Sequence, residues 1–122
     1  MVESVVIISD RSPVGINSAL EAIRLGSGFV ALGEMIDCKV VYMGDAVYML
    51  SKSANPEAVG LDSMTEPLEM ADLSDLEIKV LDSALVEAGL TADDLIEYSN
   101  LEVINMEELT KIIGEADTCF RF

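Results

Sequence analysis

Hydrophobic residues fall in short blocks along this chain, separated by polar breaks. Val5-Val6-Ile7-Ile8 is an unbroken β-branched run, the pattern of a strand covered on both faces rather than on one. Ser9-Asp10-Arg11-Ser12-Pro13 interrupts it, with Ser12 suited to cap a helix and Pro13 to its first position. The spacing then predicts a helix from Val14 to Leu32, with Ile16, Leu20, Ile23 and Val30 on one face. Leu25, Phe29 and Leu32 fall on another, so this helix is expected to be covered on more than one side. Cys38 to Met43 predicts a second strand, closed by Gly44-Asp45, and Ala46 to Ser51 a short helix. Ser53 to Leu61 reads as a loop, and the stretch near Pro67 to Asp72 as helical.

Glu77 to Leu81 predicts a third strand and Ser83 to Ala88 a helix that Gly89 ends. Thr91 can cap a turn reaching Leu95, and Val103-Ile104 predicts a short fourth strand. Asn105 and Glu108 have the spacing of a capping box. The helix they start is expected to bury Leu109, Ile112, Ile113 and Ala116, before a last strand over Thr118 to Phe122. Strand and helix alternate throughout, which predicts right-handed βαβ units, a mostly parallel sheet and helices on both faces. No repeat, linker or boundary divides the chain, so residues 1–122 are expected to form one α/β domain.

Charge narrows the function. Seven basic residues face 23 acidic ones, a net charge of −16. Such a surface repels nucleic-acid phosphate and anionic lipid. No apolar stretch approaches the ~20 residues of a membrane span. No leader pattern opens the sequence, and a cytoplasmic location is expected. Apolar residues nevertheless make up 51% of the 122 residues, and mean hydropathy is +0.39. Both features fit an oligomer in which an apolar face is shared between copies. There is no histidine, which removes histidine general acid–base catalysis, Ser–His and Cys–His pairs and the usual zinc sets.

The ordered set of these segments resembles the DsrE/DsrF family of sulfur-relay proteins. Lys39 to Leu50 (KVVYMGDAVYML) is similar to that family's second strand, Gly-Asp turn and short helix. Val80 to Leu90 is similar to its strand–helix–Gly-Leu stretch, and the ending Phe120-Arg121-Phe122 most resembles the DsrF and TusC type. The resemblance implies a three-layer α/β/α sandwich with a mostly parallel five-stranded sheet. It also implies assembly, as a homotrimer or homohexamer or with DsrE-like and DsrH-like subunits; separately, no cofactor is expected. In the family a carrier cysteine stands before the helix after the third strand, where a helix start favours the thiolate that attacks a donor persulfide. Leu81 occupies the matching position, flanked by Val80 and Asp82, so the resemblance implies a non-catalytic, DsrF-like subunit.

Other chemistry remains to be weighed. Cys119 alternates with Phe120 and Phe122 and shares a strand face with Arg121, which would favour a thiolate, and Asp117, which would oppose it. It is expected to be a small buried residue, with a persulfide-carrying or sulfurtransferase role as the alternative. Cys38 is expected in the core. Asp10, Asp45 and Asp82 each follow a strand, in a crevice with Gly44, Leu81 and Ser83 where three carboxylates could hold a divalent cation or flank a small ligand. The alternative is that they cap helices. Ser9 to Gly15 lacks both phosphate-loop patterns. From Ser53 to Ile78 there is no Lys or Arg, but there are Glu57, Asp62, Glu66, Glu69, Asp72, Asp75 and Glu77. The 57–77 segment is a solvated face or a docking surface for a basic partner protein. One of Tyr42 and Tyr48 is expected to reach the crevice.

Overall fold

The computed structural model describes residues 3–33, 35–60 and 63–122, so Leu61 and Asp62 of the acidic stretch lie outside it. Five strands form one sheet: β1 (Ser4–Ser9), β2 (Asp37–Tyr42), β3 (Glu77–Leu81), β4 (Leu101–Ile104) and β5 (Thr118–Arg121). Their order is β4-β3-β2-β1-β5, and every neighbouring pair is parallel. Parallel strands need crossovers, and the helices α1 (Ser18–Val30), α2 (Thr65–Leu73), α3 (Asp82–Ala88) and α4 (Met106–Glu115) supply them. The α/β class, the five strands and their parallel pairing agree with expectation. The Val5 to Ile7 run of β1 is buried throughout, because strands pair along both of its edges and layers cover both of its faces.

Register partners on parallel strands point the same way, so the two sheet faces can be told apart. Ile7, Val40 and Ile78 are aligned and lie beneath α1: a Cβ added at Gly26 would sit 2.8 Å from Val40 Cγ2. Tyr42, two residues on, is fully buried and donates its hydroxyl to the Ala19 carbonyl of α1 at 2.7 Å. Val6 and Lys39 belong to the opposite face, where they share a small cleft with Ile112 and Ala116 at the end of α4. That face carries charge in mid-strand. Lys39 is aligned with Glu77, and Lys79 with Glu102. Lys39 Nζ lies 2.7 Å from Asp37 and 3.5 Å from Glu77, and Lys79 Nζ lies 3.7 Å from Glu77 and 3.5 Å from Glu102. Two of the seven bases are thus spent inside the sheet, and burial of Lys79 is tolerated because two carboxylates flank it.

Local signals set most boundaries. Asn105 accepts the Glu108 N–H at 2.8 Å and Glu108 reaches back to Asn105, so α4 starts on the expected box. Thr91 and Asp94 make a second box around a 3₁₀ turn over Ala92–Asp94. The first long helix differs. It begins at Ser18, not at Val14, because Gly15 takes φ +75, a left-handed conformation that stops a right-handed turn from propagating. Ser12 accepts the Val14 N–H and closes a local turn instead of capping the helix. The helix also stops at Val30, and Ile16 and Leu32, beyond its two ends, are exposed. The segment expected as a short helix is a 3₁₀ helix over Gly44–Leu50, and another spans Pro56–Val59 within the expected loop. On α4, Leu109 is buried but Ile113 is exposed, since one small helix turns only a narrow stripe to the sheet.

Gly44 is where the chain is least free to vary. It has φ +53, and a Cβ there would lie 2.8 Å from the carbonyl oxygen of Asp10. Gly28 is helical, and a Cβ there meets nothing within 4 Å. Gly44→Ala is therefore expected to lower unfolding free energy by about 2 kcal/mol, and Gly28→Ala to raise it by up to about 1 kcal/mol. Urea unfolding of the two variants decides this, and equal midpoints would contradict it.

Candidate functional site

With all five strands parallel, their carboxyl ends share one edge of the sheet, the usual place for ligands in an open α/β fold. Ser9-Asp10, Met43-Gly44-Asp45, Leu81-Asp82-Ser83 and Arg121 stand there. Backbone bonds close the edge: the Met43 N–H donates to the Ser9 carbonyl at 3.0 Å and the Phe122 N–H to the Ile8 carbonyl at 2.9 Å. Arg121 reaches across from β5 and gives Asp10 Oδ2 two N–H contacts, from Nε at 2.8 Å and Nη2 at 2.7 Å. The other carboxylate oxygen of Asp10 is buried without a hydrogen-bond partner, as is the hydroxyl of Ser9.

The three aspartates of the expected crevice are not brought together. Among the described residues no three of His, Cys, Asp and Glu stand close enough to hold a metal ion. Each carboxylate is occupied or turned to solvent. Asp10 is held by Arg121, Asp82 Oδ1 accepts the Ser83 N–H at 2.6 Å in the first turn of α3, and Asp45 is exposed at the start of the 3₁₀ helix. Leu81 ends β3 and is buried in the core, so its side chain fills space rather than facing the edge. Gly44 does meet Asp10, through backbone rather than side chains.

The thiols are far apart in environment. Cys38 is buried near the start of β2, at the opposite end of the strand, and burial pushes its thiol up to about 12. Cys119 is exposed, which corrects the expectation that it is buried. The reason lies in topology: β5 is an edge strand, and only its inner edge is paired, with β1. Its alternation is as expected. Phe120 stacks on Phe29 of α1 with ring centroids 6.0 Å apart, while Cys119 and Arg121, aligned with Val6 and Ile8, turn to the other face. Asp117 is engaged by the backbone N–H groups of Glu3 and Ser4 at 2.8 and 3.0 Å, which hold its carboxyl below the usual range. Tyr42 is locked in the core, and burial raises its hydroxyl pKa well above the ordinary value. Tyr48 is the tyrosine that reaches the surface at this edge. The Asp10–Arg121 pairing was not visible in the sequence, because 111 residues separate the partners and nothing local couples them.

Comparison with known proteins agrees with this architecture. A model of the DsrE/DsrF-like family matches residues 3–122. The intracellular sulfur oxidation protein DsrF of Allochromatium vinosum is 28% identical over 119 aligned positions, covering 85% of this chain and 82% of that one. The crystal structure of the ychN protein from E. coli superposes with a TM-score of 0.80 at 21% identity, covering 98% of this chain and 99% of the other. A protein of unknown function from Methanobacterium thermoautotrophicum gives a TM-score of 0.71 at 16% identity, over 98% and 97%. The two structural likenesses establish the fold, including its three α/β/α layers.

The contrast between the thiols has a direct consequence. Iodoacetamide at mildly alkaline pH is expected to modify one cysteine per folded chain, Cys119, and the second only after denaturation. Peptide mapping reads the site, and native-state labelling of Cys38 at a comparable rate would contradict the burial described.

Proposed function

Because the chain belongs to the DsrE/DsrF-like family, we propose that it is a non-catalytic subunit of a sulfur-relay assembly, closest in role to DsrF, whose carrier cysteine comes from another subunit. The observation that supports this reading most is Leu81. It stands at the end of β3 and before α3, where the resemblance places the carrier thiol, and it is a buried hydrocarbon. A carrier must present a thiolate to a donor persulfide, and leucine offers no atom to do so. The sulfur connection itself rests on the relative from Allochromatium, which is named for intracellular sulfur oxidation.

A subunit of this kind contributes surfaces. Leu32, Met35, Leu73 and Val86 are large apolar side chains left exposed on the single chain, and they favour association into a homotrimer or homohexamer, or with DsrE-like and DsrH-like partners. The acidic segment offers a second surface, for a basic partner protein. Glu57, Glu66, Glu69 and Asp75 are exposed there, whereas Glu77 is already engaged by Lys39 and Lys79. No described helix is long and apolar enough to cross a membrane.

A second reading makes Cys119 the carrier, and its exposure favours this. Its thiolate would attack the outer sulfur of a donor persulfide, forming a Cys119 persulfide and releasing the donor thiolate. The subunit reading is tested by light scattering at micromolar concentration. A closed oligomer is expected, alone or on mixing with DsrE-type and DsrH-type subunits. A particle of 13.1 kDa under both conditions would overturn it.

A further inference from the structure

A groove of about 550 Å³ lies beside the carboxyl edge of the sheet. The turn after β1 and the 3₁₀ helix after β2 form two of its walls. Pro13, Val14, Tyr48, Met49, Pro56 and Met64 give it an apolar surface. Its volume is in the range that accepts a small organic ligand. We propose that this groove binds an uncharged aromatic molecule carrying an acceptor oxygen, such as a carbonyl.

Three observations define that class. First, no charged residue is among the described residues lining the groove, in a chain of which a quarter is charged. An anion would meet the field of a protein of net charge −16 with no base to receive it, and a cation would find no carboxylate. Second, the walls suit a flat ring. Two methionine thioethers, two prolines and the half-exposed ring of Tyr48 make favourable contacts with aromatic faces and edges. Third, the groove offers hydroxyl donors from Ser12, Ser51 and Ser53, beside the Asn55 amide. Ser12 Oγ accepts the Val14 N–H and Ser51 Oγ accepts the Ser53 N–H, both at 3.2 Å. Each hydroxyl thus uses a lone pair on the backbone and keeps its proton for an acceptor on the ligand. The turn that makes α1 begin late, at Ser18, is what places Pro13 and Val14 in this wall. None of this depends on the role of Leu81 or Cys119.

Nile red tests the proposal, since it is uncharged, aromatic and carries a carbonyl, and it brightens in apolar surroundings. Saturable binding of one dye per chain is expected. Val14 is an exposed wall residue, and Val14→Asp is expected to weaken binding at least tenfold. Met106 is also exposed but does not line the groove, so Met106→Asp is expected to leave binding unchanged. The anionic dye anilinonaphthalene sulfonate is expected to bind more weakly than Nile red to the unsubstituted protein. Absence of saturable Nile red binding, equal loss in both variants, binding that survives Val14→Asp, or preference for the sulfonate would each overturn it.

Discussion

β1 is paired in parallel along both edges, and the rest of the molecule is registered against it. Ile7 is aligned with Val40 on one side and Phe120 on the other, so shifting β1 by one residue would turn its buried β-branched side chains to the wrong face. The same pairing determines what lies outside. With β1 and β2 inside, the two edges fall to β4 and β5, which are short and partly exposed. The edge position of β5 in turn exposes Cys119 and frees Arg121 to reach the end of β1.

That reach matters for the chemistry of the carboxyl edge. In an open parallel sheet this edge is where a site is expected, and here it is closed by backbone contact at Gly44 and by the Asp10–Arg121 pair. Of the remaining aspartates, Asp82 serves the first turn of its own helix and Asp45 faces solvent. A carboxylate already neutralised by a guanidinium offers little to a cation, and a leucine at the end of β3 offers nothing to a persulfide. Elsewhere the surface carries an acidic segment, exposed apolar side chains and the thiol of Cys119, and a neutral groove lies beside the closed edge.

Much of this was legible in the sequence because the relevant signals are local. The Val5–Ile8 run, the Asn105–Glu108 box and the turn at Gly44 each specify their own neighbourhood, and strand–helix alternation then restricts the topology to parallel crossovers. The errors came where a distant contact or a single backbone angle decides. Ser12-Pro13 reads as a helix start, yet Gly15 takes a left-handed conformation that no pattern of side chains announces. Cys119 has the composition of a core strand around it, but burial depends on strand order, which puts β5 at an edge. The Asp10–Arg121 pair and the groove walls are assembled from segments remote in sequence, so only the folded chain reveals them.

The account turns on whether this chain carries sulfur itself. Intact-mass spectrometry after incubation with a persulfidated donor protein, on the unsubstituted chain and on Cys119→Ala, asks this most directly. No sulfur retained on either form is the result predicted for a subunit that relies on another chain's cysteine. One sulfur per chain, absent in Cys119→Ala, would contradict that account and make the exposed thiol of β5 the working group.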